Sequence, residues 1–420
     1  MKRTLAAVIA GILIVAIIVS LTWYYYIAPS PAPTKEKILI GFSVPLTGAV
    51  AASAQECLMS NYLYWKDEVN AEGGIYVAEY GKKLPVEFIY YDDASDPGKT
   101  VEIYERLISV DHVDLLLPPW GTAWCYAALP VIEKYRYPMV SGLASAVKAR
   151  STPSEYGFWM GDVDAVYTQE VLFDFLNAHR DEIKTVAVLY VSSLFGLEHY
   201  EAFSELKVEH GFPEVVYVRD YPTEIKDFTP FISSIKSLNP DALLIFDYPA
   251  DGSLFYRQAL EQELRVKLYF STLGATYYLF EQVFPPKEQK GVFMPTKLAP
   301  KMLSPEEKKW WDAFISRFGY HPCGADCVDA RSTCQILQQA VEKAGTLDRE
   351  KIREVLATES FQTVAGPLKF KKYEGGSCVA YRVDQKFTIF LGQRQGDGLW
   401  EVVWPPKIKT ADPIFGWPQT

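Results

Sequence analysis

The familiar catalytic signatures are missing from this 420-residue chain: it holds no G-x-S-x-G elbow, no H-E-x-x-H, no complete Walker A and no G-x-G-x-x-G. The nearest miss, Gly98-Lys99-Thr100, has Asp93 where the first glycine of a phosphate loop should stand. Histidine is scarce, with 5 residues, and none sits beside a plausible nucleophile in a matched motif, so an enzyme reading finds no residues to rest on. Positive charge is also in deficit. Lys and Arg number 42 against 52 Asp and Glu, and the net charge of -10 argues against nucleic acid as a partner. No cysteine precedes Cys57, which excludes a lipid-modified N-terminal cysteine. What remains, 49% hydrophobic and 22% charged, is an acidic folded protein with ample material for two domains.

One hydrophobic run is long enough to cross a bilayer. Leu5 to about Ile27 follows Met1-Lys2-Arg3, whose charges favour a cytoplasmic start and put the rest of the chain outside the cell. A cleaved signal peptide is the competing reading. Its apolar region is usually shorter, and Trp23, Tyr24, Tyr25 and Tyr26 resemble an interfacial belt more than a small-residue cleavage site, so we read 1–27 as a retained signal anchor. Residues 28–37 carry Pro29, Pro31 and Pro33 between small residues and read as a stiff spacer lifting a domain off the membrane.

From Ile38 onward apolar strands alternate with helical stretches. Strands are expected at Ile38–Val44, Val86–Tyr91, Leu115–Leu117 and Pro138–Ser141, then at Thr185–Val191, Glu214–Val218, Ala242–Phe246 and Lys267–Phe270. That alternation predicts doubly wound α/β sheets, and two such runs predict two similar lobes. The stretch Asp114 to Ser145 is the centre of the first. Pro118, Pro119 and Gly121 break the strand before an Ala-rich helix, which leaves Trp120, Gly121 and Thr122 on a strand-to-helix turn. The following strand ends in the small loop Gly142 to Ser145. In an open parallel sheet both loops lie at carboxyl ends of strands, where ligands bind and helix N-termini attract negative charge.

A series of short pieces then carries a resemblance: I-G-F-S-V-P-L-T-G at Ile40–Gly48, V-N-A-E-G-G-I at Val69–Ile75, Y-D-D-A-S-D-P at Tyr91–Pro97, P-V-I-E-K at Pro130–Lys134, D-F-T at Asp227–Thr229, N-P-D-A-L at Asn239–Leu243, R-Q-A at Arg257–Ala259 and F-Q-T-V-A-G-P-L-K-F at Phe361–Phe370. In this order and spacing the chain resembles the type I periplasmic substrate-binding proteins of the branched-chain amino acid (Leu/Ile/Val) family that serve ABC importers. The resemblance implies two Rossmann-like lobes joined by three hinge crossings, near Phe158–Met160, Gly291–Pro295 and Thr363–Pro367. Lobe one would hold 38–159 and 292–362, lobe two 160–291 and 363–409, with 410–420 a tail. It also implies a small-molecule ligand, permease and ATPase subunits as partners, no cofactor, no enzymatic activity, and a globular domain outside the cell membrane. A sensor domain of the same fold is the alternative, with a hydrolase on a doubly wound scaffold behind it.

Carried over residue by residue, the resemblance places the ligand's carboxylate on Thr122 and on the loop Leu143 to Ser145, with Trp120 beside them. It makes Phe195 the aromatic lid, and Tyr248 is a second lid by its place after the Ala242–Phe246 strand. Trp124 and Trp159 would add aromatic surface. Where relatives that bind α-amino acids carry an acid for the ammonium, this chain has Leu273; Asp247 and Asp251 are the substitutes at hand. The expected ligand is therefore bulky, amphipathic or aromatic and not a plain branched-chain amino acid. Asp92, Asp93 and Asp96 read as a structural turn and helix start. Cys57 and Cys125 are expected to bridge the helices after the first and third strands. His321, Cys323 and Cys327 leave half a zinc site open as an alternative to further disulfides with Cys334 and Cys378.

Overall fold

The computed structural model describes residues 11, 14–20, 34–160, 165–382, 389–396 and 398–419. Most of the expected anchor, and residues 28–33 of the spacer, lie outside the described residues; 14–20 are helical and exposed. Among the described residues no helix is long and apolar enough to cross a membrane.

The strands form where continuous apolar runs are covered on both faces. Ala242–Phe246 is buried at every position and lies parallel between Thr185–Val191 and Leu268–Ser271. One large sheet runs Trp400–Trp404, Phe390–Arg394, Val292–Thr296, Leu268–Ser271, Ala242–Phe246, Thr185–Val191, Glu214–Tyr221. The other lobe is built on two smaller ladders. Ile38–Val44 lies between Val86–Asp92 and Leu115–Leu116, all parallel, and a second ladder runs Ser360–Thr363, Gly366–Lys372, Cys378–Arg382, Gly157–Trp159, Met139–Ser141. The helix Asp326–Ala344 packs across this lobe against Ser60–Ala71 and Met139–Ser141.

The ladders move two expected boundaries. Val292–Thr296 pairs with Tyr269 and Phe270, so it stays in the sheet of lobe two and the crossing follows it. Gly366–Lys372 and Cys378–Arg382 remain with Gly157–Trp159, so the last return to the large sheet comes between 382 and Phe390 and not at Thr363–Pro367. The turn pattern at 363–367 is a hairpin, Thr363 paired with Gly366, and pairing along one edge continues past it.

The acidic turn is structural in its contacts. Asp92 accepts from the amides of Leu46 at 2.9 Å and Ala94 at 2.8 Å, Asp93 accepts from the Ser43 hydroxyl at 3.1 Å, and Asp96 caps the helix Pro97–Ser109 through Gly98 N–H at 2.8 Å.

Candidate functional site

The strand Leu115–Leu116 ends early because Pro118 and Pro119 have no amide for a ladder. Gly121 then takes φ +102, a conformation that side chains rarely adopt, and a Cβ there would lie 2.8 Å from the Trp124 ring. Thr122 opens the helix Thr122–Tyr135, whose first-turn amides have no intrahelical acceptor. The loop after Met139–Ser141 is tied to this turn. Gly121 N–H donates to the Leu143 carbonyl at 2.9 Å, and Ser145 N–H donates to Thr122 Oγ1 at 3.0 Å. Since Oγ1 already accepts a bond, the Thr122 hydroxyl is left with its proton to donate.

Across the cleft stand the aromatic residues. Phe195, in the first turn of Leu194–His210, stacks on Tyr248 with ring centroids 5.2 Å apart, and Tyr248 meets Trp120 at 5.7 Å. The Ser193 hydroxyl donates to the Tyr248 hydroxyl at 3.2 Å and steadies that ring. Trp120, Thr122, Leu143, Phe195, Tyr248 and Leu273 thus line one small cavity with Gly121, Ala144 and Asp326. Its volume is about 10 Å³, room for a single water, so a solute enters only when the lobes part. The lobes also meet outside the cavity: Glu56 of lobe one accepts the amides of Tyr278 at 2.6 Å and Leu279 at 2.9 Å, at the start of the helix Tyr278–Val283.

Several expected residues are turned elsewhere. Asp247 accepts from Ser271 Oγ at 2.7 Å, Thr272 Oγ1 at 3.0 Å, and the amides of Leu273 at 3.1 Å and Gly274 at 3.3 Å, so it props the loop beneath Leu273 and lies outside the cavity lining. Asp251 accepts from the Tyr221 hydroxyl at 2.6 Å and from Tyr248 N–H at 3.4 Å. Burial pushes the carboxyl of Asp247 up to about 6 and that of Asp251 to about 7, the second helped by the charge of the first. Ser145 turns its hydroxyl to the amide of Ala165 at 3.4 Å, the first residue of the helix Ala165–Ala178. Trp124 packs against Trp120 at 6.3 Å without lining the cavity, and Trp159 stacks on Tyr126 at 4.4 Å inside lobe one.

Among the described residues, the carboxylate that lines the cavity is Asp326, at the first position of Asp326–Ala344. Its Oδ2 accepts from the Tyr277 hydroxyl, which in turn accepts from Trp120 Nε1 at 3.2 Å. Asp329, one turn on, is paired with Lys297 at 2.7 Å, both side chains buried. Sequence reading missed Asp326 because it lies far along the chain from the strand-end loops. A D-x-x-D pair at a helix start is its one local signal.

The cysteines also fall differently. All six are free, buried thiols. Cys57 lies beside Cys323 and Cys327, the three sulfurs within 4.8 Å of one another, whereas Cys125 points at the Pro119 carbonyl at 3.4 Å, so the expected Cys57–Cys125 bridge is not formed. His321 is absent from the thiol group: its Nε2 faces Glu281 at 2.9 Å and its ring stacks on Trp311 at 5.4 Å.

Two α/β lobes with strand-end loops facing each other across a closed cleft define a hinged solute-binding protein. The profile of the periplasmic binding protein family matches residues 37–380, and the chain belongs to that family, as a type I member of its branched-chain amino acid transporter group. It is 24% identical over 335 residues to the leucine-, isoleucine-, valine-, threonine- and alanine-binding protein of Pseudomonas aeruginosa, covering 80% of this chain and 86% of that one. It is 25% identical over 370 residues to an amino acid binding protein of the same organism, covering 83% and 91%. Among solved structures, the branched-chain amino acid transporter substrate-binding protein LivJ of Streptococcus pneumoniae, in complex with isoleucine, superposes with a TM-score of 0.74 at 19% identity, covering 88% of this chain and 100% of that one. An ABC-transporter solute-binding protein of Rhodopseudomonas palustris in complex with 3,4-dihydroxybenzoic acid superposes at 0.71 and 20% identity, covering 90% and 98%. The fold and the family are those expected from the motifs.

Proposed function

We propose that this chain captures an amino acid with a bulky or aromatic side chain at the outer face of the cell membrane and delivers it to the permease and ATPase subunits of an ABC importer. The observation that carries the reading is the cavity itself, which sets the Thr122 turn and the Asp326 carboxylate in one lining with the rings of Trp120, Phe195 and Tyr248. The Thr122 hydroxyl and the first-turn amides of its helix receive the ligand's carboxylate, a neutral donor cluster that needs no buried cation. Asp326 receives the ammonium, the role that relatives give to an acid at the position of Leu273 and for which Asp247 and Asp251 were the expected substitutes, and Leu273 gives the side chain an apolar wall. The rings of lobe two close over the remainder.

Closure is a population shift, because only the closed state touches the ligand from both lobes. The apolar, aromatic-flanked segment Leu5 to Ile27 supports a retained anchor, and the prolines of 28–37 support a short rigid tether. N-terminal sequencing of the native membrane protein checks the tether; a mature chain beginning after Ala28 contradicts it. A thermal-shift screen of amino acids, aromatic acids, sugars and amides tests the ligand class as a raised melting temperature. Stabilisation by leucine, isoleucine or valine alone overturns the bulky or aromatic assignment.

A further inference from the structure

We infer that Cys57, Cys323 and Cys327 form a structural site for one soft d10 cation, of the class of Zn2+ or Cu+. The three sulfurs converge from two segments far apart in the chain. Cys57 sits in the π-helical turn Gln55–Met59, Cys323 in the loop before the helix Asp326–Ala344, and Cys327 in that helix's first turn. A π-turn shifts the side chains that follow it around the helix axis, and such turns recur at functional sites. Here the turn holds Cys57 against the other two.

A single buried thiol is a small hydrophobe that needs no further explanation. Three with sulfurs mutually within 4.8 Å approach the arrangement that a metal imposes. With metal–sulfur bonds of about 2.3 Å, ligands of one ion stand about 3.8 to 4.0 Å apart. An independent feature points the same way: Cys327 N–H is aimed at Cys323 Sγ at 3.0 Å, an amide placed to support negative charge on sulfur. His321, the remaining member of the sequence half-site, is engaged by Glu281, so the ligand set is sulfur alone, which selects soft ions.

On binding, each thiol gives up its proton as its metal–sulfur bond forms. Three protons leave per ion, and no electron is transferred. The clip pins the Gln55–Met59 turn to the start of the helix that carries Asp326, and so braces one wall of the cleft. This inference stands whether or not the ligand is an amino acid, since it rests on no cavity residue.

The test uses the full chain, reduced, unfolded in denaturant and refolded with Cd2+, because a fully buried site loads as the chain folds. One Cd2+ per chain is expected by elemental analysis after gel filtration, together with an ultraviolet sulfur-to-cadmium charge-transfer band. Cys57→Ser and Cys323→Ser should lose both signals, and Cys125→Ser should keep them. Should the serine variants fail to fold, alkylation of the refolded parent decides: Cd2+ is expected to protect Cys57, Cys323 and Cys327 and to leave Cys125, Cys334 and Cys378 unaffected. No retained Cd2+, equal loss in Cys125→Ser, protection spread over all six thiols, or a disulfide within the trio in unreduced native protein each overturns the site.

Discussion

On one wall of the cleft, the Thr122 turn presents backbone amides and a hydroxyl, with the Asp326 carboxylate close by; on the other, Phe195 and Tyr248 present ring faces. The Thr122 turn and the loops carrying Phe195 and Tyr248 all lie at the carboxyl ends of parallel strands, whereas Asp326 opens a helix, and the two walls handle charge in opposite ways. Lobe two has two buried acids near the cleft, Asp247 and Asp251, and hydrogen-bonds both into its own framework. Lobe one has an acid that borders the cavity. The difference teaches that an acid's nearness to a site says less than the donors already saturating it: six donors occupy these two carboxyls before any ligand arrives, counting Ser271, Thr272, Leu273 and Gly274 on Asp247 and Tyr221 and the Tyr248 amide on Asp251.

The sharpest way to break this comparison is to remove the lobe-one acid. Asp326→Asn should weaken ligand binding by about 3 to 5 kcal/mol, the scale of a buried charge left without its partner, as read by calorimetry. Asp247→Asn should change affinity far less and show its effect in melting temperature. Equal losses in the two variants would erase the distinction between the walls.

Next in size is Thr122→Val, expected to cost roughly 1 to 3 kcal/mol of binding by leaving the ligand's carboxylate short of a donor. Affinity unchanged from the parent would move the polar end of the ligand elsewhere.

The acids of lobe two should betray themselves through pH. Their folded pKa values, about 6 for Asp247 and about 7 for Asp251, lie above the ordinary carboxylate value of 3.8. Unfolded chains therefore release these protons first, and the stability the two groups contribute is present below pH 4 and lost as pH rises toward 7. Between pH 5 and pH 8 the unfolding free energy of Asp251→Asn should gain on the parent by a few kcal/mol at most, at about 1.4 kcal/mol per pKa unit, measured by urea titration. A gap that is constant with pH contradicts the burial argument.

The smallest effect is expected at Tyr248→Phe. Losing the bond from Ser193 should loosen the lid by roughly 0.5 to 1.5 kcal/mol while the stack on Phe195 persists. A loss as large as that of Thr122→Val would mean the Tyr248 hydroxyl itself touches the ligand.

How far the sequence was legible follows the same divide. Buried parallel strands declare themselves as unbroken apolar runs, and Ile38–Val44, Thr185–Val191 and Ala242–Phe246 are found at the expected bounds. Pro118, Pro119 and Gly121 marked the turn below Thr122 for reasons of backbone chemistry alone. Orientation was another matter. Asp247 and Trp159 were themselves expected at the cleft, and only the hydrogen bonds from Ser271 and Thr272, or the stack on Tyr126, turn them inward. Cys57 finds its neighbours through the packing of the helix Asp326–Ala344 on lobe one, a long-range contact with no local signature. The strands after Gly366 pair along an existing edge, which a turn motif cannot reveal.

The central claim, a zwitterion held between the Thr122 turn and Asp326, is tested most directly by calorimetric titration of the parent with an aromatic amino acid and with the same molecule lacking its amino group. The account predicts that the amino acid binds and that its des-amino counterpart binds more than about 100-fold more weakly, equivalent to roughly 3 kcal/mol. Equal affinity for the two would contradict it.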